Sequence, residues 1–96
     1  MIQSFADDTT ADIFRERNTK AARQIPKALW RVVQRKLKML DVAARLEDLE
    51  SPPGNRLKVL KGQMKGRHSI RVNEQYRVTF RWENGHAFEV AVEDYH

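Results

Sequence analysis

The sequence contains no cysteine and no long apolar run among its 96 residues. Without cysteine, the chain can form neither a disulfide framework nor a thiolate metal site. No apolar stretch approaches the roughly 20 residues that a membrane-spanning helix requires. Residues 1–5 are too few, and too soon followed by acidic residues, for a secretory signal. We therefore expect one soluble cytoplasmic domain over residues 1–96, with one modest core.

Positive charge is concentrated in the second half of the chain. The formal net charge is +5 at pH 7. Residues 52–81 hold eight lysines or arginines against one acid, Glu74. No lysine or arginine follows Arg81. This balance favours a polyanionic partner, namely nucleic acid, an anionic membrane or an acidic protein; the alternative is a basic domain without such a partner. Apolar residues alternate with the cations, so we expect the charges to lie on a rigid sheet that binds anions.

The first half of the chain is predicted to be mainly helical. Residues 2–5 alternate as in a short strand, and the acid- and threonine-rich residues 7–10 are typical of a helix start, which predicts a helix over residues 10–17. Apolar residues at three- and four-residue intervals predict a second helix over residues 26–44, with Lys36 as the one charged interruption. One further helical turn at residues 46–49 ends before two consecutive prolines.

The second half is predicted to form four strands, over residues 56–61, 68–73, 76–83 and 87–93. The last two are joined by Asn84-Gly85, a strong hairpin signal because both residues tolerate positive φ. The predicted core face or edges of the sheet comprise Ile70, Val72, Val78, Phe80, Phe88, Val90 and Val92. Helices followed by a run of strands predict an α+β domain with the helices on one face of the sheet.

Four segments carry a resemblance to a known family: LKVLKG at 57–62, SIRV at 69–72, YRVTF at 76–80 and EDYH at 93–96. In this order the chain resembles the HigB-like branch of the RelE/ParE superfamily, also described as plasmid-maintenance killer proteins. These are toxins of type II toxin–antitoxin systems. The resemblance implies a RelE-like fold: a short N-terminal strand and two helices packed on one face of a mainly antiparallel sheet.

The same resemblance implies an activity and partners. It implies a ribosome-dependent mRNA endonuclease that acts in the ribosomal A site without a metal or other cofactor and inhibits translation. The partner implied is a helix-turn-helix, HigA-like antitoxin, whose dimer would assemble toxins that are monomeric by themselves. No membrane partner is implied.

RNA cleavage without a metal needs a base for the 2′-hydroxyl proton, cations for the phosphorane and an acid for the 5′ leaving oxygen. By resemblance, Arg77 contacts the scissile phosphate and Lys61 binds phosphate. His96 is a candidate acid or base because histidine titrates near neutrality. The predicted catalytic residues are Lys58, Arg77, Asp94, Tyr95 and His96, and the predicted RNA or phosphate contacts are Arg56, Lys61, Arg71 and Tyr76.

Alternatives remain open for several of these residues. Arg77 could instead form a structural ion pair with Glu93 or Asp94, and Tyr76 could be a core residue. Some HigB-like toxins have a histidine where this chain has Lys58, and an arginine near Asn73.

Lys58 therefore acts as a base only if neighbouring cations depress its pKa. Otherwise it contacts phosphate, and catalysis depends on His96 and Asp94. Two other functions compete with the endonuclease, namely a ParE-like gyrase poison and a non-catalytic nucleic-acid-binding module.

Overall fold

The computed structural model describes residues 1–64 and 66–94, in which two α-helices precede a four-stranded antiparallel sheet. The elements are α1 (Asp8–Phe14), α2 (Trp30–Val42), β1 (Lys58–Val59), β2 (Arg67–Arg71), β3 (Tyr76–Glu83) and β4 (His86–Asp94). The strands lie in the order β1-β2-β3-β4, each antiparallel to its neighbour. The α+β prediction is confirmed. None of the helices in the described ranges is long and apolar enough to cross a membrane.

The predicted N-terminal strand is present as two isolated parallel bridges to β4. Ile2 pairs with Ala87 and Phe5 with Val90. Backbone hydrogen bonds of 2.8 Å join Gln3 N to the Ala87 oxygen and Ala6 N to the Val90 oxygen. This segment therefore lies along the outer edge of β4, where unpaired backbone groups would otherwise face solvent.

Both helices are shorter than predicted. The Asp7 carboxylate accepts from Thr10 N at 2.8 Å and caps the start of α1. The helix ends at Phe14, before Glu16, whose φ of 58° is left-handed. The residues after Pro26 first form a 3₁₀ turn, so α2 begins only at Trp30.

The apolar face of α2 packs on one face of the sheet. Val33, Leu37 and Leu40 are fully buried in one cluster with Val78 and Phe80 of β3. Of the predicted core face, Ile70, Val78, Phe80, Val90 and Val92 are buried, and Val72 packs partly buried against them.

Phe88, predicted for the core face or the edges of the sheet, is half-buried and lies outside the core cluster. The β3–β4 register shifts between Thr79 and Arg81, and Glu89 has a φ of 52°. Such a bulge inserts one residue and interrupts the alternation of side chains, so Phe88 on one side of the bulge and Val90 on the other point to opposite faces. Phe88 consequently pairs with Arg81, whose guanidinium lies 4.6 Å from its ring centroid, while Ala87 is buried instead.

The first predicted long strand, over residues 56–61, is reduced to the two residues of β1. Arg56 has φ 45° and ψ 55°, so it ends a 3₁₀ turn rather than starting a strand. Beyond Val59, one further backbone hydrogen bond of 2.8 Å joins Leu60 N to the Arg67 oxygen. The left-handed residue at position 56 therefore sets where the chain enters the sheet.

Candidate nucleic-acid interface

The face of the sheet away from the helices carries most of the predicted cations. Paired residues of adjacent strands project to the same face. Arg77 pairs with Arg71 on one side and Glu93 on the other, and Lys58 pairs with Ser69. Since Val78 beside Arg77 is in the core, these partners lie on the opposite face. The sheet therefore brings Lys58, Arg71 and Arg77 together.

Arg77 is held in one orientation by hydrogen bonds from two of its nitrogens. Its Nε donates to Ser69 Oγ at 2.8 Å, and its Nη2 donates to the carbonyl oxygen of Arg56 at 2.8 Å. The residue is 7% exposed, and Ser69 beneath it is fully buried. A planar guanidinium fixed at two of its nitrogens has a defined orientation.

The two carboxylates proposed as alternative partners of Arg77 have other described contacts. Glu93 Oε2 accepts from Thr79 Oγ1 at 2.5 Å, on the same face as Arg77. Asp94 Oδ2 accepts from Gln75 Nε2 at 3.0 Å.

A shallow depression of about 340 Å³ opens beside Arg77. It is lined by Arg56, Arg71, Asn73, Glu74 and Arg77. Three guanidinium groups against one carboxylate give it a positive potential suited to a phosphate. Asn73 also shapes its wall, because its Oδ1 accepts from the backbone nitrogens of Gln75 at 2.8 Å and Tyr76 at 2.7 Å.

Lys61 does not lie with these arginines. Its neighbour Leu60 pairs with Arg67, whereas Arg71 is four residues further along β2. At about 3.3 Å per residue, the two places are roughly 13 Å apart along the strand. Lys61 is exposed at the opposite end of the sheet, so a contact between Lys61 and RNA would be a separate one.

At the Lys61 end of the sheet, Arg67 and Arg81 have acidic partners. Arg81 Nε donates to Glu89 Oε1 at 3.1 Å, and Arg81 also contacts Glu83. The hydrogen bond with Glu89, and after it the contact with Glu83, raise the pKa of Arg81. Arg67 Nη2 donates to the Glu89 carbonyl at 2.7 Å. Glu83 and Glu89 therefore offset part of the positive charge of Arg67 and Arg81.

Tyr76 and Asp94 are paired with each other across β3 and β4, on the face that packs against the helices. Tyr76 is 9% exposed and belongs to the hydrophobic core, which is the packing alternative for this residue. Asp94 is exposed at the end of β4. An RNA contact by Tyr76 stays a prediction. Tyr95 and His96 lie outside the described residues.

Two polar residues behind the site were not predicted from the sequence as functional. Lys36 is 7% exposed although it is charged, and Asn55 is fully buried. Lys36 Nζ donates to Asn55 Oδ1 at 2.5 Å. Burial lowers the pKa of Lys36, and the charge of Arg35 lowers it further. The one signal in the sequence was the charged interruption of an otherwise apolar helix stripe.

Comparison with known proteins identifies relatives over most of the chain. The profile of a family described as "RelE-like toxin of type II toxin-antitoxin system HigB" matches residues 3–96. Toxin HigB-1 of Vibrio cholerae serotype O1 is 48% identical over 66 residues, which cover 69% of this chain and 70% of the relative. A Haemophilus influenzae protein is 37% identical over 82 residues, covering 85% of this chain and 79% of its own length.

Solved structures of lower sequence identity share the fold. A chain of the YoeB–YefM complex from Staphylococcus aureus superposes with a TM-score of 0.61 at 17% identity, covering 100% of this chain and 98% of the other. The YoeB dimer from the same organism gives 0.60 at 20% identity, with coverages of 99% and 97%. These solved structures show that the fold is shared. The family profile and the Vibrio relative show the family. The chain therefore belongs to the HigB-like family of RelE-like toxins of type II toxin–antitoxin systems.

Proposed function

We propose that this toxin is a ribosome-dependent mRNA endonuclease that inhibits translation. The observation that carries the proposal is the Arg77 guanidinium, fixed by Ser69 Oγ and the Arg56 carbonyl at the edge of a depression that Arg56 and Arg71 also line. A preorganised cluster of cations is the main requirement for stabilising a pentavalent phosphorane without a metal.

The reaction is an attack of the 2′-oxygen on the adjacent phosphorus. The new bond joins O2′ to phosphorus, and the bond from phosphorus to the 5′-oxygen breaks. A base removes the 2′-hydroxyl proton and an acid protonates the 5′-oxygen, which leaves a 2′,3′-cyclic phosphate and a 5′-hydroxyl end. In this reaction Arg77 and Arg71 stabilise the charge on the phosphorane.

Proton transfer is assigned to Lys58 and to the C-terminal residues. Lys58 shares the sheet face of the arginines through its pairing with Ser69. Asp94 pairs with Tyr76 on the other face and lies at the exposed end of the strand beside β3. Tyr95 and His96 complete the set in our proposal, with His96 able to exchange a proton near neutral pH.

The substrate and partners follow from the same proposal. The toxin acts in the cytoplasm on mRNA in the ribosomal A site, and a helix-turn-helix, HigA-like antitoxin holds it inactive. The support is the family to which the chain belongs and the fold neighbour YoeB, whose structure is a complex with YefM. We further propose that the toxin alone is a monomer and that the antitoxin dimer builds the larger assembly.

The test is cleavage of one mRNA in a reconstituted translation system, with the same mRNA free of ribosomes as the control. We expect cleavage only in the presence of ribosomes, insensitive to EDTA once ribosome integrity is controlled, with 5′-hydroxyl ends. Products bearing 5′-phosphate ends would contradict attack by the 2′-oxygen. Intact mRNA together with altered DNA supercoiling in cells would refute the proposal in favour of gyrase poisoning.

A further inference from the structure

The buried lysine of α2 is connected to the arginine cluster by a continuous chain of contacts. Lys36 lies on the helix side of the loop that precedes β1, and its ammonium group donates to Asn55 Oδ1 at 2.5 Å. Asn55 is followed directly by Arg56, whose carbonyl accepts from Arg77 Nη2 at 2.8 Å. Two hydrogen bonds and one peptide unit therefore separate Lys36 from Arg77.

Asn55 is the anchor of this loop. Its Nδ2 donates to the carbonyls of Leu49 at 3.1 Å and Ser51 at 3.4 Å, while its Oδ1 accepts from Lys36. Both donors and the acceptor of the side-chain amide are thus engaged in a fully buried site. A buried amide with every group satisfied holds its backbone in one place, because any shift leaves a polar atom unpaired.

The residue that follows Asn55, Arg56, has a left-handed backbone conformation. Arg56 has φ 45° and ψ 55°, a conformation that a residue with a Cβ atom rarely adopts. This conformation places the Arg56 carbonyl on Arg77 and its side chain in the wall of the depression. The surrounding contacts must therefore hold this conformation in place.

A lysine is a poor choice at position 36 if only stability matters. The residue is 7% exposed in the apolar stripe of α2, and within residues 1–64 and 66–94 its described hydrogen-bond partner is a neutral amide. Burying an ammonium group opposite a neutral partner is unfavourable relative to an apolar side chain of the same length. What Lys36 supplies here is a hydrogen bond to Asn55 Oδ1.

We propose that Lys36 and Asn55 are positioning residues for the phosphate-binding site, and that their hydrogen bond fixes the Arg56 carbonyl, which in turn orients the Arg77 guanidinium. This inference rests on the proposed function for its effect on cleavage. Its effect on the orientation of Arg77 can be measured in the free protein.

The test compares Lys36→Met with Lys38→Met. Methionine keeps the length of lysine without its donor, and Lys38 is exposed on the same helix, so it is the matched control. The first readout is the side-chain Nε–Hε signal of Arg77 in nuclear magnetic resonance spectra, assigned with Arg77→Lys. We expect this signal to shift or broaden in Lys36→Met and to keep its native position in Lys38→Met.

The second readout is the rate of mRNA cleavage at saturating toxin. A displaced guanidinium should lower this rate roughly 10- to 100-fold, while the toxin concentration for half-maximal rate stays the same. A purely structural role would lower the melting temperature and the folded fraction, but not the rate per folded molecule. A folded Lys36→Met protein with a native Arg77 signal and a native rate would overturn the inference.

A second variant decides the question if Lys36→Met does not fold. The double variant Lys36→Met/Asn55→Leu removes both partners of the buried hydrogen bond, so neither group is left unpaired, and the loop loses its anchor. A perturbed Arg77 signal supports the inference, and a native signal overturns it. Wild-type protein that cleaves no mRNA would refute the proposed function alone, because the resonance measurement needs no activity.

Discussion

Replacing Arg77 with alanine should lower the rate of mRNA cleavage far more than it lowers the stability of the domain. The substitution removes two hydrogen bonds of 2.8 Å and leaves Ser69 Oγ and the Arg56 carbonyl without that donor. Hydrogen bonds to charged groups contribute about 1.5–3 kcal/mol each. Removing a guanidinium that is 7% exposed relieves part of that loss, because its desolvation is unfavourable.

We therefore expect Arg77→Ala to destabilise the domain by about 1–3 kcal/mol. This corresponds to a decrease of very roughly 5–20 °C in the melting temperature of a domain of this size. Loss of one preorganised donor to a developing phosphorane charge should decrease the cleavage rate by about 10²–10³-fold. The two effects are separated by measuring melts first and assaying at a temperature at which both proteins are folded.

Arg77→Lys is the more discriminating variant, and Arg31→Ala, at an exposed position of α2, is the matched control. Lysine keeps the charge but cannot donate to Ser69 and the Arg56 carbonyl in the same fork geometry. We expect Arg77→Lys to lose most of the activity and Arg31→Ala to melt like the wild type. A folded Arg77→Ala protein that cleaves within threefold of the wild-type rate would refute the assignment of Arg77 to the phosphate.

Three further outcomes are expected. Deleting Tyr95 and His96 should strongly reduce growth inhibition at equal soluble amounts while leaving the melting temperature nearly unchanged. A C-terminal tag should impair the toxin more than an N-terminal tag does. Full toxicity of the truncated protein would mean that residues of the sheet alone carry out proton transfer. Lys61→Ala should raise the toxin concentration for half-maximal cleavage a few-fold, and more at low than at high salt, without changing the maximal rate. A fall in the maximal rate like that of Arg77→Ala would contradict the conclusion that Lys61 and Arg77 belong to separate contacts. Burial lowers the pKa of Lys36 below its usual 10.5, so between the folded and the unfolded pKa the unfolded chain binds more protons than the folded chain. The free energy of unfolding of the wild type, relative to that of Lys36→Met, should therefore rise with pH across that interval. Urea titrations at several alkaline pH values would test this, and a difference that falls with pH would contradict the expected sign.

The sequence by itself was sufficient for the order of elements, the α+β class and the family resemblance. Helix and strand periods are local properties that do not depend on what packs against them. The Asn84-Gly85 hairpin is confirmed, with φ values of 51° and 79°, because these two residues carry the required backbone freedom themselves. Arg71 and Arg77 were also predicted on two consecutive strands, over residues 68–73 and 76–83.

Tertiary structure decided the features that depend on strand register and burial, namely the side of the sheet on which Phe88 lies, the length of β1 and the place of Lys61. The bulge at Glu89 moved Phe88 out of the core, although alternation along β4 predicted the reverse. A bulge is a response to twist and edge packing, which a single strand does not encode. The left-handed Arg56 shortened β1, and the resulting register left Lys61 far from Arg77.

The depth of Arg77 and the role of Lys36 also needed the folded chain. The sequence predicted Arg77 among cations on an anion-binding sheet but not its burial, which Ser69 and the Arg56 carbonyl bring about. Asn55 in the loop before β1 and Lys36 on α2 are 19 residues apart, so no local pattern relates them. Their contact exists because the helix packs beneath the loop, and this packing brings the buried ammonium group of Lys36 to the Asn55 amide oxygen, which accepts its hydrogen bond.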